Sequence, residues 1–148
     1  QIKSLFLLQG AFSHFTFAAA LPFDRTRSGD LKGKDKLVDG PLLTTFSELD
    51  LAVGRAYPLA SIVAGADNSK MEEIVSRWGG MGSDGAQAVA AKPLQLKRPG
   101  FAYNWTKGGW HNLDGNQIIK NGGPPSGAHS DIIHPETAWA TLSAAGIV

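Results

Sequence analysis

The chain opens with the stretch QIKSLFLLQGAFSHFTFAAALP, residues 1–22, and the interpretation of this stretch decides how the rest of the fold is predicted. A single lysine, Lys3, precedes an apolar run, and alanines at positions 18–20 come shortly before a proline. A positive start, an apolar middle of about 7–15 residues and a small-residue end are the three parts of a secretory signal. The pattern therefore predicts a signal-like or anchor-like segment over residues 1–22.

The same stretch has two other interpretations. Because basic residues prefer the cytoplasmic side of a membrane, the basic cluster after the apolar run favours a retained anchor; it comprises Arg25, Arg27, Lys32, Lys34 and Lys36. At helical spacing, one stripe of apolar side chains instead suits a helix packed on a protein core; it comprises Leu5, Leu8, Phe12, Phe15 and Ala19. The sequence leaves signal, anchor and core helix open.

Composition limits the remaining possibilities. The 148 residues suffice for one domain, and 18 glycines are typical of a loop-rich globular chain. The absence of cysteine excludes disulfides, thiolate metal sites and cysteine nucleophiles. A net charge of +1 with interspersed signs predicts no nucleic-acid partner. We divide the chain into the segment at residues 1–22, a charged linker at 23–40 and a single globular domain at 41–148.

The predicted fold class is α+β, a small single domain with helices in the N-terminal half. Ser47 is a candidate N-cap, Asp50 falls in the first turn that would follow, and apolar residues then recur at helical spacing. Residues 70–78, after a second cap signal at 67–69, form an amphipathic pattern that two glycines close. The alanines within residues 86–91 indicate one further brief helix.

The C-terminal half is predicted to hold short antiparallel strands or extended loops, followed by a closing helix. Residues 94–97 and 101–106 alternate apolar and polar side chains, and glycine-containing turn pairs punctuate the region. Pro135 suits the first turn of the closing C-terminal helix, with Trp139 and Leu142 facing inward.

The densest group of polar side chains lies in residues 129–136. Imidazole and carboxylate groups are ligands for zinc or another divalent metal, which makes His129, Asp131, His134 and Glu136 candidate metal ligands. Their spacing matches no established metal motif. In the alternative interpretation, Asp131 caps nearby backbone, His134 packs at the helix entry and Glu136 favours the helix dipole.

A second candidate site is the aromatic, glycine-bounded region at residues 103–111. Exposed rings can stack on sugars or on partner surfaces. We therefore predict a ligand-binding set that comprises Tyr103, Trp105, Trp110 and His111. The alternative is that these rings form the core of the C-terminal half. Asn104 begins an Asn-Trp-Thr triplet, an N-glycosylation acceptor if the protein is secreted.

The glycines at residues 80–85 satisfy the G-x-G-x-x-G pattern of dinucleotide sites. A helix is predicted before the pattern and no acidic residue follows at the required offset, so no such cofactor is expected. Ser83 also approximates a nucleophile elbow, but Met81 occupies a position that should be small. We interpret the segment as a glycine-rich turn.

Three functional hypotheses follow. The first is a small secreted or surface-exposed glycoprotein, non-enzymatic and without a cofactor, that binds carbohydrate or a protein surface through its aromatic region. The second is an accessory subunit of a membrane-associated complex, held by its N-terminal helix. The third is a metal-dependent hydrolase centred on residues 129–136, with a divalent metal ion.

Overall fold

The computed structural model describes residues 2–56, 58–60 and 71–148. Four strands form one sheet in the order β1-β2-β4-β3, and every adjacent pair is parallel. The strands are β1 (Leu5–Leu7), β2 (Leu42–Phe46), β3 (Lys92–Gln95) and β4 (Trp110–Asp114). Because all four run in one direction, their carboxyl ends meet at a single edge, where ligands bind in open parallel sheets.

The middle strands, β2 and β4, are buried on both faces. Leu43 and Leu113 pack on one face together with Ala140 from the C-terminal part of the chain, whereas Leu42 and Trp110 pack in a separate cluster. Burial on both faces is typical of parallel strands. It explains why β2 is a continuous run of leucines and threonines without the alternation of a half-buried strand.

The helical elements lie around this sheet. The α-helices are α1 (Met71–Trp78), α2 (Met81–Asp84) and α3 (Pro135–Ala144), with a 3-10 helix at Lys34–Leu37 and a π-helical turn at Ala52–Ala56. Residues 58–60 are also helical. The short helix α2 packs against β2 and brings Gly82 into contact with the turn that follows β1.

The predicted arrangement of helices first and antiparallel strands second is wrong. Two of the four strands lie in the N-terminal half, and all pairings are parallel. The turn pairs between β3 and β4 suggested a hairpin, but the chain there returns by an irregular crossover to the amino end of the sheet. Short, fully buried apolar strands also lack the period-2 pattern that would have identified them.

The N-terminal stretch forms no helix across its apolar run. Leu5–Leu7 is strand β1, and Gln9 turns the chain with a φ of 47°. Phe15, Phe17 and Ala18 are buried in turns that follow. Among the described residues, no helix has the length and apolar character that crossing a membrane requires. Secretion and membrane association remain predictions.

Of the other predicted N-terminal helices, the one after Ser47 is confirmed only in part and the one within residues 86–91 is wrong. Residues 48–50 form a tight loop, and helical structure begins only after it, with a π-helical turn at Ala52–Ala56 and helical residues at 58–60. The Ser47 hydroxyl donates to the Ile119 carbonyl at 2.7 Å. Residues 86–91 are irregular and lead into β3, an edge strand that accommodates Pro93. The helix expected at 70–78 is confirmed as Met71–Trp78, while its cap signal at 67–69 lies outside the described residues.

The closing helix is confirmed as α3, Pro135–Ala144, and Gly146 beyond it has a φ of 70°. Its inward face differs from the prediction, because Thr137, Ala140 and Ala144 are buried whereas Leu142 is 39% exposed. Small residues face the sheet, so the helix can approach it closely.

Candidate functional site

Asp50 lies near the carboxyl end of β2 and is fully buried. Its Oδ2 atom accepts hydrogen bonds from Gln9 Nε2 at 3.0 Å and from His129 Nδ1 at 2.9 Å, and its Oδ1 atom accepts one from the Val53 amide at 3.2 Å. A buried carboxylate needs such donors to offset the loss of its hydration. Asp50 is therefore held in one orientation from three sides.

His129 reaches Asp50 because two loops are joined by backbone contacts. Asp50 and Gly127 form an isolated antiparallel bridge, and the Ala128 amide donates to the Leu49 carbonyl at 2.8 Å. Gly127 has a φ of 61°, and a Cβ there would collide with the Leu49 carbonyl. This position requires glycine, and the close approach that glycine permits sets His129 beside Asp50.

The pairing determines which nitrogen of His129 carries the proton. An ionised carboxylate only accepts hydrogen bonds, so Nδ1 donates to Asp50 and the lone pair of Nε2 is left free. The His129 side chain is 32% exposed, and Asp50 is its hydrogen-bond partner among the described residues. The result is an oriented base with its reactive nitrogen accessible from outside.

The described residues contain two further His–Asp pairs, and both differ from this one. His14 Nδ1 lies 2.7 Å from Asp84 Oδ2, but there the histidine is buried and the aspartate is 43% exposed. His134 Nε2 lies 3.0 Å from Asp131 Oδ1, outside hydrogen-bonding geometry and with both side chains partly exposed. The combination of a buried carboxylate with an accessible imidazole belongs to Asp50 and His129.

Of the four residues predicted as metal ligands, the structure brings Asp131 and His134 together and turns His129 to another partner. His129 turns to Asp50, while Asp131 accepts hydrogen bonds from the backbone amides of Lys120 and Asn121, each at 2.8 Å. Burial would raise the pKa of the Asp131 carboxyl, but these amides and His134 outweigh it and lower the pKa. Glu136 is half-buried in α3. No group of three potential metal-binding side chains occurs within residues 2–56, 58–60 and 71–148, so a metal site stays a prediction.

Three of the four aromatic candidates form a packed series, whereas Trp110 packs against Phe17 in the other core cluster. Tyr103 stacks on Trp105 with ring centroids 4.4 Å apart, and Trp105 meets His111 edge-on at 5.1 Å. Trp110 and His111 are buried, and the Trp105 indole donates to the Ser143 hydroxyl at 3.0 Å. Burial raises the pKa of the Tyr103 hydroxyl. Ligand binding by these rings remains a prediction.

Two smaller predictions concern exposed or turn residues. Asn104 is exposed, as a glycosylation acceptor must be, and its modification remains a prediction. The Ser83 hydroxyl donates to the Gly80 carbonyl at 2.8 Å within α2. This bond satisfies the serine locally.

Sequence reasoning missed Asp50 and Gln9 as site residues. Asp50 was assigned to the first turn of a helix, and Gln9 to the polar positions of an apolar segment. The signal that could have found both is their position just after short apolar runs, since polar residues following buried parallel strands collect at one edge of the sheet. Because the sequence did not predict a parallel sheet, the position of these residues could not be recognised as a signal.

No family model matches the chain, and no curated protein and no solved structure is significantly similar to it.

Proposed function

We propose that Asp50 and His129 are the orienting acid and the general base of a hydrolytic site that cleaves acyl bonds such as esters. The observation that carries this proposal is the hydrogen bond of 2.9 Å from an accessible imidazole to a fully buried carboxylate. A buried aspartate that fixes the tautomer of a histidine and stabilises its protonated form is how hydrolases prepare a base for an attacking hydroxyl.

The chemistry follows from the two ring nitrogens. His129 Nε2 removes the proton from a hydroxyl as its oxygen attacks the carbonyl carbon of the substrate. Asp50 stabilises the imidazolium that forms, through the hydrogen bond at Nδ1. The imidazolium then returns the proton to the departing alkoxide, which leaves as an alcohol. When the attacking hydroxyl is water, an acid and an alcohol are the products.

The position of the pair within the chain supports the same proposal. Asp50 comes before His129 in the chain. Asp50 follows β2 and His129 follows β4, and these two strands are neighbours in the parallel sheet. In α/β-hydrolases the acid and the base of the catalytic triad follow in this order. This analogy rests on the order of the two residues in the chain, and it points to a serine hydroxyl as the attacking group. Among the described residues, no side-chain hydroxyl is hydrogen-bonded to the His129 ring.

An apolar groove guides the choice of test substrate. A groove of about 250 Å³ is lined mainly by apolar side chains, including Leu8, Ile132 and Ile133. Leu8 adjoins Gln9, and Ile132 follows His129 by three residues. Ile133 is 93% exposed, so this groove presents apolar surface close in the chain to both halves of the site. We therefore choose short acyl esters as test substrates.

The test compares p-nitrophenyl butyrate hydrolysis by four variants. We expect His129→Gln and Asp50→Asn to lower kcat/KM by about 10²- to 10⁴-fold, because the first removes the base and the second removes the group that orients it. Asp131→Asn and Asp84→Asn are the matched controls, since each alters a His–Asp pair whose aspartate is not fully buried; we expect them to retain the wild-type rate. Equal rates in all four variants would contradict the proposal. A fluorophosphonate adduct would identify serine, rather than water, as the attacking group.

A further inference from the structure

Gln9 is a buried polar residue directly after β1, with 2% of its surface exposed. Its φ of 47° is in the left-handed region, which a residue with a long side chain adopts only when the surrounding structure imposes it. The Gln9 amide donates to Thr45 Oγ1 at 3.0 Å, which anchors the backbone to β2. This turn directs the Gln9 side chain toward Asp50.

The orientation of the Gln9 carboxamide is determined by its neighbours. Nε2 donates to Asp50 Oδ2 at 3.0 Å and to the Gly82 carbonyl at 2.9 Å. Both partners are acceptors, so the flipped amide would place Oε1 against two oxygens. Oε1 remains buried without a hydrogen-bond partner. The residue thus leaves one polar atom unsatisfied while both of its amide protons are used.

We propose that Gln9 is a positioning residue of the Asp50–His129 pair, acting through the carboxylate oxygen that also receives the His129 proton. Gln9 Nε2 and His129 Nδ1 meet at the same atom, Asp50 Oδ2. The inference rests on the proposed function, because it assigns Gln9 a role in preparing that base. Gln9 itself touches neither the substrate nor the proton that is transferred.

The consequence for the base is one of orientation. The donation from Gln9 holds Asp50 Oδ2 at the position where it receives the His129 Nδ1 proton. Without that donation the carboxylate has fewer fixed partners, so it maintains the Nδ1-protonated form of His129 less strictly. Fewer molecules then offer a free Nε2, which lowers kcat more than it changes KM.

The experiment records the nitrogen-15 spectrum of the neutral His129 ring and the hydrolysis of p-nitrophenyl butyrate by the full chain, with Gln9→Met as the variant. Methionine has a similar length and flexibility but no donor. We expect the preference for a protonated Nδ1 to weaken and kcat to fall by about 10-fold with KM little changed, a part of the roughly 10²- to 10⁴-fold that general-base catalysis supplies. An unchanged His129 spectrum together with an unchanged kcat would overturn the proposal.

Thr44→Val is the matched control, because Thr44 is buried in the same strand and its hydroxyl donates to the Thr45 carbonyl rather than to Gln9 or Asp50. We expect it to lower stability without changing the His129 spectrum; a change equal to that of Gln9→Met would overturn the proposal. Gln9→Leu provides a second variant without a donor. In the unaltered protein, both Nε2 protons of Gln9 should exchange slowly with solvent, and fast exchange would contradict the two buried donations.

The two proposals fail in different ways. If Asp50→Asn leaves ester hydrolysis unchanged, the proposed function fails whatever Gln9 does. If Asp50→Asn abolishes activity but Gln9→Met changes neither the His129 spectrum nor kcat, Gln9 is a structural residue and the positioning role is excluded.

Discussion

His111 shows at the scale of one residue how burial acts on an ionisable group. It is fully buried in β4, and its Nε2 accepts a hydrogen bond from the Thr106 amide at 3.3 Å. Burial lowers the pKa of His111 below its ordinary value of 6.5 and outweighs the backbone carbonyls of Leu42 and Gly109, which act in the opposite direction. The folded protein therefore keeps this ring neutral.

This lowered pKa predicts how stability depends on pH. Below pH 6.5 the unfolded chain binds the proton more readily than the folded chain, so stability is retained above that pH and falls as the pH drops toward the folded-state value. The slope is up to about 1.4 kcal/mol per pH unit for one group. We expect His111→Phe, whose ring cannot titrate, to flatten the decrease in urea-unfolding free energy between pH 7 and pH 5 (about the window for this group). An unaltered slope in the variant would assign the pH dependence to other groups.

Close packing between elements sets the position of Gln9. Helix α2 presents Gly82 to the turn after β1, where a Cβ on Gly82 would lie 2.7 Å from the Gln9 carbonyl carbon and 2.9 Å from its Cα. These atoms are backbone and cannot rotate away. The contact between α2 and the turn therefore admits no side chain.

Gly82→Ala should separate these two elements. We expect it to destabilise the fold by about 1–3 kcal/mol, as overpacking against backbone does, and to lower ester hydrolysis by disturbing Gln9. Gly123→Ala is the control, because nothing lies within 4 Å of a Cβ there and its φ is not in the left-handed region. Urea-unfolding midpoints measure both, and equal midpoints for the two variants would contradict the described contact.

Single elements differ in how much of their structure could be predicted. α1 and α3 carried signals within their own residues: an amphipathic pattern in α1, and Pro135 with Gly146 at the ends of α3. β1 and β2 did not: β1 has only three residues, too few to show a period, and β2 is buried along almost its whole length, so it lacks the alternation of a half-buried strand. Ser47 resembled a helix cap, and its hydroxyl does accept a bond from the Leu49 amide, but it donates to the Ile119 carbonyl, a partner distant in the sequence.

The candidate site was harder to predict than the elements, because it depends on the arrangement of the whole molecule. His129 was selected from its sequence neighbours Asp131 and His134, whereas its actual partner, Asp50, lies 79 positions earlier in the chain. Local spacing carries no information about such a pair. The structure places His129 beside Asp50, and its role as a metal ligand stays a prediction.

A substitution in β4 tests the described hydrophobic core of the molecule. Leu113 is fully buried between β2 and α3, in a cluster with Leu43 and Ala140. We expect Leu113→Ala to lower the free energy of unfolding by about 2–5 kcal/mol, because it removes buried apolar contacts and leaves a cavity. Leu142→Ala, at a position that is 39% exposed, should cost clearly less. A larger loss from Leu142→Ala would contradict the described core.

The central claim is that Asp50 holds His129 with Nδ1 protonated and Nε2 free to accept a proton. The nitrogen-15 spectrum of the histidine side chains, recorded where His129 is neutral and assigned with His129→Gln, measures this directly. The account predicts a protonated Nδ1 and an unprotonated Nε2 for His129, with this preference lost in Asp50→Asn. A neutral His129 protonated at Nε2, in a spectrum that Asp50→Asn leaves unchanged, would contradict it.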